Sequence, residues 1–173
     1  MTLPNEIAIS AEREVSDRVE LEAAVREYLD RTLADLKGHA GIELSLDATL
    51  SATMRNLPAY LPPRGGLFLA RGPEGELLGT AFLKMIRKDT AEIKRLYVRP
   101  AARGSGLGRR LTVAAIDGAK DRGANRILID TGVWMKAARR LYEDLGFRYI
   151  EPYPESENPA EMSPFLVYME LAL

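Results

Sequence analysis

The sequence predicts an α/β (α+β) fold in a single domain spanning residues 1–173, a mixed, mainly antiparallel sheet with helices on both faces. Three observations predict it. Two helical stripes of apolar residues come early, over residues 17–37 and 46–57. Three strands joined by short turns follow, as an antiparallel meander requires. The path from Leu96 to Ile129 then reads as strand, helix, strand, a crossover that makes its two strands parallel and right-handed neighbours.

Each element has its own warrant. Residues 6–10, where Ile7 and Ile9 alternate with polar neighbours, suit a short first strand. The helix expected over residues 17–37 carries Leu21, Val25, Tyr28, Leu29, Thr32, Leu33 and Leu36 on one stripe, and Gly38 is expected to end it. His39 then falls in the connection Gly38-His39-Ala40-Gly41, where it reads as a solvated loop residue rather than a base. Leu46, Leu50, Thr53, Met54 and Leu57 repeat the stripe in the second helix, and both stripes read as core packing. Prolines and glycines make residues 58–66 a loop. Strands are expected at 66–71 and 77–87, joined by the turn Gly72-Pro73-Glu74-Gly75, and Lys88-Asp89 turns the chain back into the third strand.

That third strand leads into the stretch around which the chain is organised. Ile93, Leu96, Tyr97 and Val98 suit a mostly buried strand, and Pro100, with no N–H to give a ladder, stops it. Gly104, Gly106 and Gly108 then allow a tight turn with no Cβ in the way. The following helix starts with unpaired N–H groups and a partial positive charge. Such a junction suits a phosphate or diphosphate, and Arg103, Arg109 and Arg110 add cations. Leu107, Leu111, Ala114 and Ala115 share a face of this helix, which Gly123 closes. A strand at 126–130, a helix at 135–145 stopped by Gly146, a strand at 147–150, a loop at 152–164 and a strand at 165–171 complete the chain.

A plain structural corner is the competing reading of any such glycine run. A nucleotide-binding P-loop needs a lysine after its glycines, and none follows here. A dinucleotide fingerprint needs G-x-G-x-x-G directly after the strand with an acid about 20 residues on. Asp130 ends the next strand, but the spacing is G-x-G-x-G and Arg99-Pro100-Ala101-Ala102-Arg103 intervenes.

Arg103-x-x-Gly106-x-Gly108, with Leu96-Tyr97-Val98-x-Pro100 before it and Leu141-Tyr142-x-x-x-Gly146-Phe147 after it, resembles the GCN5-related N-acetyltransferase (GNAT) family. The resemblance runs from about residue 92 to residue 150. It implies a sheet whose two central parallel strands splay into a V, with acetyl-coenzyme A as co-substrate. It also implies that Leu96, Tyr97 and Val98 face the pantetheine arm, where Leu96 and Val98 offer main-chain hydrogen bonds. Arg103, Gly104, Ser105, Gly106, Leu107, Gly108 and Arg109 would hold the pyrophosphate. The family's two early helices wall the acceptor site. One departure is Met135, which stands where family members often have an asparagine; Lys136 and Arg139 are candidates to replace that contact.

Acetyl transfer to an amine needs a deprotonated nitrogen, stabilisation of developing negative charge and a proton for the departing thiolate. Glu92 is the candidate base, set against a structural role pairing a cross-strand cation such as Lys84. Tyr142 matches the family tyrosine near the thioester sulfur and is the candidate acid, set against a role as a packed aromatic. The predicted activity is N-acetyl transfer by direct attack in a ternary complex, on a small-molecule or peptide amine. A non-catalytic acyl-coenzyme A sensor is the alternative.

Composition narrows the field. With 24 basic and 25 acidic side chains, the chain offers nothing for broad nucleic-acid binding. It has no cysteine, which excludes a disulfide framework, thiolate metal ligands and a cysteine nucleophile, and its single histidine leaves little for a metal site. Residues 1–6 do not read as a signal peptide and no apolar run spans a bilayer, so a cytoplasmic protein without membrane partners is expected. The family makes a homodimer plausible, and the sequence does not show one.

Overall fold

A computed structural model describes residues 7–173. Strands β1 (Ala8–Glu12), β2 (Gly65–Arg71), β3 (Leu77–Met85), β4 (Thr90–Val98), β5 (Arg126–Gly132), β6 (Arg148–Ile150) and β7 (Leu166–Ala172) form one sheet in the order β1-β2-β3-β4-β5-β7-β6. Every neighbouring pair is antiparallel except β4 with β5. The helices are α1 (Arg18–Ala40), α2 (Leu46–Arg55), α3 (Leu107–Asp121) and α4 (Lys136–Asp144). The first strand lies two residues later than its pattern suggested, and Glu6, the first residue expected in it, is outside the described residues.

Strand alternation splits the core in two. Leu67, Leu69 and Phe82 join Leu21, Val25, Leu29, Leu50 and Met54 of α1 and α2 on one face. Phe68, Ala70, Ala81 and Leu83 join Leu107, Leu111, Ala115 and Ala119 of α3 on the other. The helix stripes read from the sequence are therefore the surfaces that cover the sheet.

Helix α1 starts where its signals place it, with the Asp17 carboxylate accepting from the Glu20 amide at 2.8 Å. Its end differs. The helix runs through Gly38, which costs only about 1 kcal/mol relative to alanine inside a helix, and stops at Gly41 in the left-handed conformation (φ 69°). The Gly41 N–H reaches the Lys37 carbonyl at 3.0 Å, as the cap requires. His39 is therefore in the last helical turn, not a loop, and its ring stacks on Trp134 with centroids 5.0 Å apart.

Two features of the sheet shape the site. Strands β4 and β5 pair only at Thr90–Arg126, Ala91–Ile127 and Glu92–Leu128. Beyond Glu92, β4 follows β3, β5 follows β7 through Gly132–Leu166, and the parallel strands part. A bulge then interrupts β4. Thr80 faces Tyr97 and Phe82 faces Lys94, so Arg95 and Leu96 together oppose Ala81. Arg95 has a φ of 52°, and the Thr80 hydroxyl donates to its carbonyl at 2.9 Å.

Candidate active site

The parting of β4 and β5 opens a cavity of about 670 Å³, roofed by α1 and α2 on one side and bounded by β5 and α4 on the other. Ile93, Lys94, Arg95 and Leu96 all line it in succession. A regular strand would send alternate side chains to opposite faces; the split and the bulge bring four neighbours to one opening. Asp130, Thr131 and Gly132 line it from β5, Trp134 and Met135 from the loop that follows, and Ala138 and Tyr142 from α4. The open C-terminal end of a parallel pair is where α/β sheets commonly receive ligands.

Glu92 does not line this cavity. Its side chain is wholly buried beneath it, with Lys94 at 3.3 Å and Lys84 at 3.5 Å. The Tyr153 hydroxyl, from the loop before β7, lies 2.7 Å from Glu92 and 3.2 Å from Asp130. Lys94 also pairs with Asp130 at 3.6 Å, and Lys84 with Glu157 at 2.6 Å. Burial pushes the Glu92 carboxyl above the ordinary carboxylate range, against the pull of Lys94 and the Tyr153 hydrogen bond. For Lys94 burial works downward, but the charges of Asp130 and Glu92 outweigh it and hold the ammonium above the usual lysine value. Two carboxylates of this network line the cavity: Asp130 of β5, with 15% of its side chain exposed, and Glu157 from the loop before β7.

Tyr142 is buried, lies against Phe147 and lines the cavity, and its hydroxyl has no hydrogen-bond partner among the described residues. Burial first, then Tyr28 and Asp130, push this phenol well above its ordinary value, so it keeps its proton at neutral pH. Tyr97 turns the other way: its hydroxyl donates to Glu27 at 3.2 Å, leaving only its main chain toward the split.

The glycine loop continues from the open end of β4. Gly104 (φ 78°) and Gly106 (φ 80°) hold left-handed conformations, and nothing lies within 4 Å of where a Cβ would stand. Gly108 differs, since a Cβ there meets only Leu141 and Val98 at ordinary distances of 3.7 and 3.8 Å. The turn therefore depends on two of its three glycines. No side chain caps α3, whose first amides, from Leu107 to Arg109, face the loop. Arg103 curls back to donate from Nε to the Val98 carbonyl at 3.0 Å, and Ser105 donates to the Ala102 carbonyl at 2.6 Å. Arg110 reaches away to the Ile7 carbonyl at 2.7 Å, and Arg109 lines a surface hollow with Arg110, Ile9 and Val113.

At the position of the missing asparagine, Met135 caps α4 and its sulfur accepts from the Thr131 hydroxyl at 3.2 Å. Arg139 donates to Tyr149 at 3.1 Å and to the Val133 carbonyl at 2.9 Å.

A strand edge released from its parallel neighbour, leading to open helix amides across an uncrowded loop, fits an extended chain ending in a diphosphate. The comparisons with known proteins agree. Residues 26–147 match the model of the acetyltransferase (GNAT) family. The chain belongs to the GNAT acetyltransferase family. An N-acetyltransferase of Schizosaccharomyces pombe, described only as uncharacterized, is 34% identical to this acetyltransferase over all of the chain and 99% of the relative. A protein of Azospirillum brasilense named IAA acetyltransferase is 28% identical over 99% of the chain and 100% of that protein. A GNAT acetyltransferase of Elizabethkingia anophelis, solved with acetyl-CoA bound, has the same fold. Its TM-score is 0.67 at 20% identity, with 98% of this chain and 99% of that one covered. Acetyl-coenzyme A is the donor used by GNAT acetyltransferases. No helix among the described residues is long and apolar enough to cross a membrane.

Sequence reasoning named Tyr142 and Leu96, which line the cavity, but did not place Lys94 or Asp130 on its wall, and it read Tyr153 only as part of a loop that could close over the acceptor. Asp130 carried a signal, an acid at the end of a strand expected to be parallel to its neighbour, which was weighed only as part of a dinucleotide fingerprint. Tyr153 comes from a loop 61 residues from Glu92 in the chain, and no periodicity links the two.

Proposed function

We propose that this acetyltransferase moves the acetyl group of acetyl-coenzyme A to an amine by direct attack while both substrates are bound. One observation carries the reading: a single cavity joins the β4–β5 split to the space under α1 and α2, with Asp130 and Tyr142 both on its wall. The chain has no cysteine to carry an acetyl group between two half-reactions. Main-chain groups of Leu96, Tyr97 and Val98 would hold the pantetheine arm. Arg103 and the amides of Gly104, Ser105, Gly106, Leu107, Gly108 and Arg109 would hold the diphosphate. The bound donor supplies an activated thioester whose sulfur leaves as a thiolate.

Asp130 takes the proton that the amine loses, and Tyr142 gives its phenolic proton to the departing sulfur. Solvent then returns the proton from Asp130 to Tyr142, so the enzyme ends as it began. Glu92, the base expected from the sequence, acts here through Lys94 and Tyr153 as a positioning residue that holds Asp130 in place.

Initial rates with acetyl-coenzyme A and a panel of amines test this. Double-reciprocal plots should intersect, and Asp130→Asn and Tyr142→Phe should each lower kcat by about 100-fold or more while calorimetric affinity for coenzyme A holds. Parallel plots, or full activity in both variants, would overturn the reading.

A further inference from the structure

We propose that the amine acceptor carries a carboxylate and that Arg95 binds it. The inference rests on the acetyl-transfer reading and names its substrate class, an amino carboxylate.

Arg95 owes its place to the bulge. Left-handed backbone strains a non-glycine residue and persists where the surrounding structure demands it. Here it re-aims the guanidinium into the cavity next to Lys94. Both acceptor-side helices hold it there: Nη2 donates to Thr53 of α2 at 3.1 Å, and the guanidinium lies 5.8 Å from the ring centre of Tyr28 of α1. The other cations of the site have carboxylate partners. Lys94 has Glu92 and Asp130, and Lys84 has Glu92 and Glu157. Among the described residues, no carboxylate lies within ion-pair distance of Arg95, and its Nε is buried without a hydrogen-bond partner.

A buried donor left unmade is costly, so its partner is expected from a ligand. The cavity has a second such group, the Trp134 indole N–H, also buried and unpartnered. Arginine and indole can only donate. Their missing partner is therefore rich in acceptors, and a carboxylate matches the planar guanidinium fork. Lys94, the preceding residue in the chain, pairs with Asp130, so the proposed anchors for carboxylate and amine share one rim of the cavity. Leu33, Leu36 and Leu44 line the acceptor end and suit an apolar side chain.

Matched pairs of acceptors test the proposal, with acetyl-coenzyme A as donor and free thiol as readout: L-phenylalanine against 2-phenylethylamine, and L-leucine against 3-methylbutylamine. The wild type should favour each amino acid by about 100-fold in kcat/KM. Arg95→Gln should erase that preference mainly through KM, and Arg95→Lys should restore part of it. Trp134 is the only tryptophan in the chain, so its emission reports binding independently of turnover. Amino acids that change this emission in the wild type but not in Arg95→Gln, with no acetylation, would uphold the carboxylate site and sink the transfer reading. Equal reaction of both members of each pair, equal binding by wild type and Arg95→Gln, or no binding of either amino acid would overturn the proposal.

Discussion

The Tyr153 hydroxyl bonds the buried carboxylate of Glu92 at 2.7 Å from a loop on the far side of β5. The same oxygen lies 3.2 Å from Asp130, so one phenol ties the floor of the cavity to its wall. It joins residues of β4, β5 and the loop before β7.

Tyr153→Phe should cost about 1–3 kcal/mol of stability, because it strands a buried acceptor. The Tyr153 hydrogen bond pulls the Glu92 carboxyl down, so its loss should move that group further above the ordinary carboxylate range. Activity that needs ionised Glu92 then falls away at a higher pH on the acid side. Urea melts and kcat/KM against pH check both effects, and an unmoved acid limb would count against the coupling.

Lys94 sits between Glu92 and Asp130, and its folded pKa lies above that of a free lysine. A group raised in this way contributes stability that is complete below its unfolded value and lost as pH rises through its folded one. The wild type should therefore hold this contribution through neutral pH and lose it only in the alkaline range. Lys94→Met should cost about 3–5 kcal/mol at pH 7, because it leaves buried carboxylate charge behind. Adding Glu92→Gln to that variant should recover part of the loss. Melts from pH 7 to 11 on the three proteins measure it.

The glycine loop separates two kinds of glycine. Gly106→Ala forces a side chain into a left-handed position (φ 80°) and should weaken coenzyme A binding about tenfold or more. Gly108→Ala adds a methyl group at ordinary contact distance and gains helix propensity, so binding should hold within about twofold. Calorimetric titration of acetyl-coenzyme A into the two variants separates these outcomes, and equal weakening would contradict the loop geometry.

Local physics accounts for what was legible in the chain. The stripes from Leu21 to Leu36 and from Leu46 to Leu57 specify two sheet-covering helices, because burial acts on a 3.6-residue period. Gly104 and Gly106 specify a turn with left-handed backbone, which glycine takes without strain. Gly38 misled because a glycine inside a helix and a glycine at its end look alike in sequence; the cap at Gly41 depends on where the last carbonyls find partners. The sequence by itself thus determined the fold and the family. Tertiary structure alone decided which side chains line the cavity. Three β4–β5 pairs followed by divergence, and a bulge that turns Arg95 inward, settle which charges face the cavity. The same packing buries Glu92 and leaves Asp130 at the surface of the opening. Burial and pairing of a charge depend on residues distant in the chain, and no local pattern encodes them.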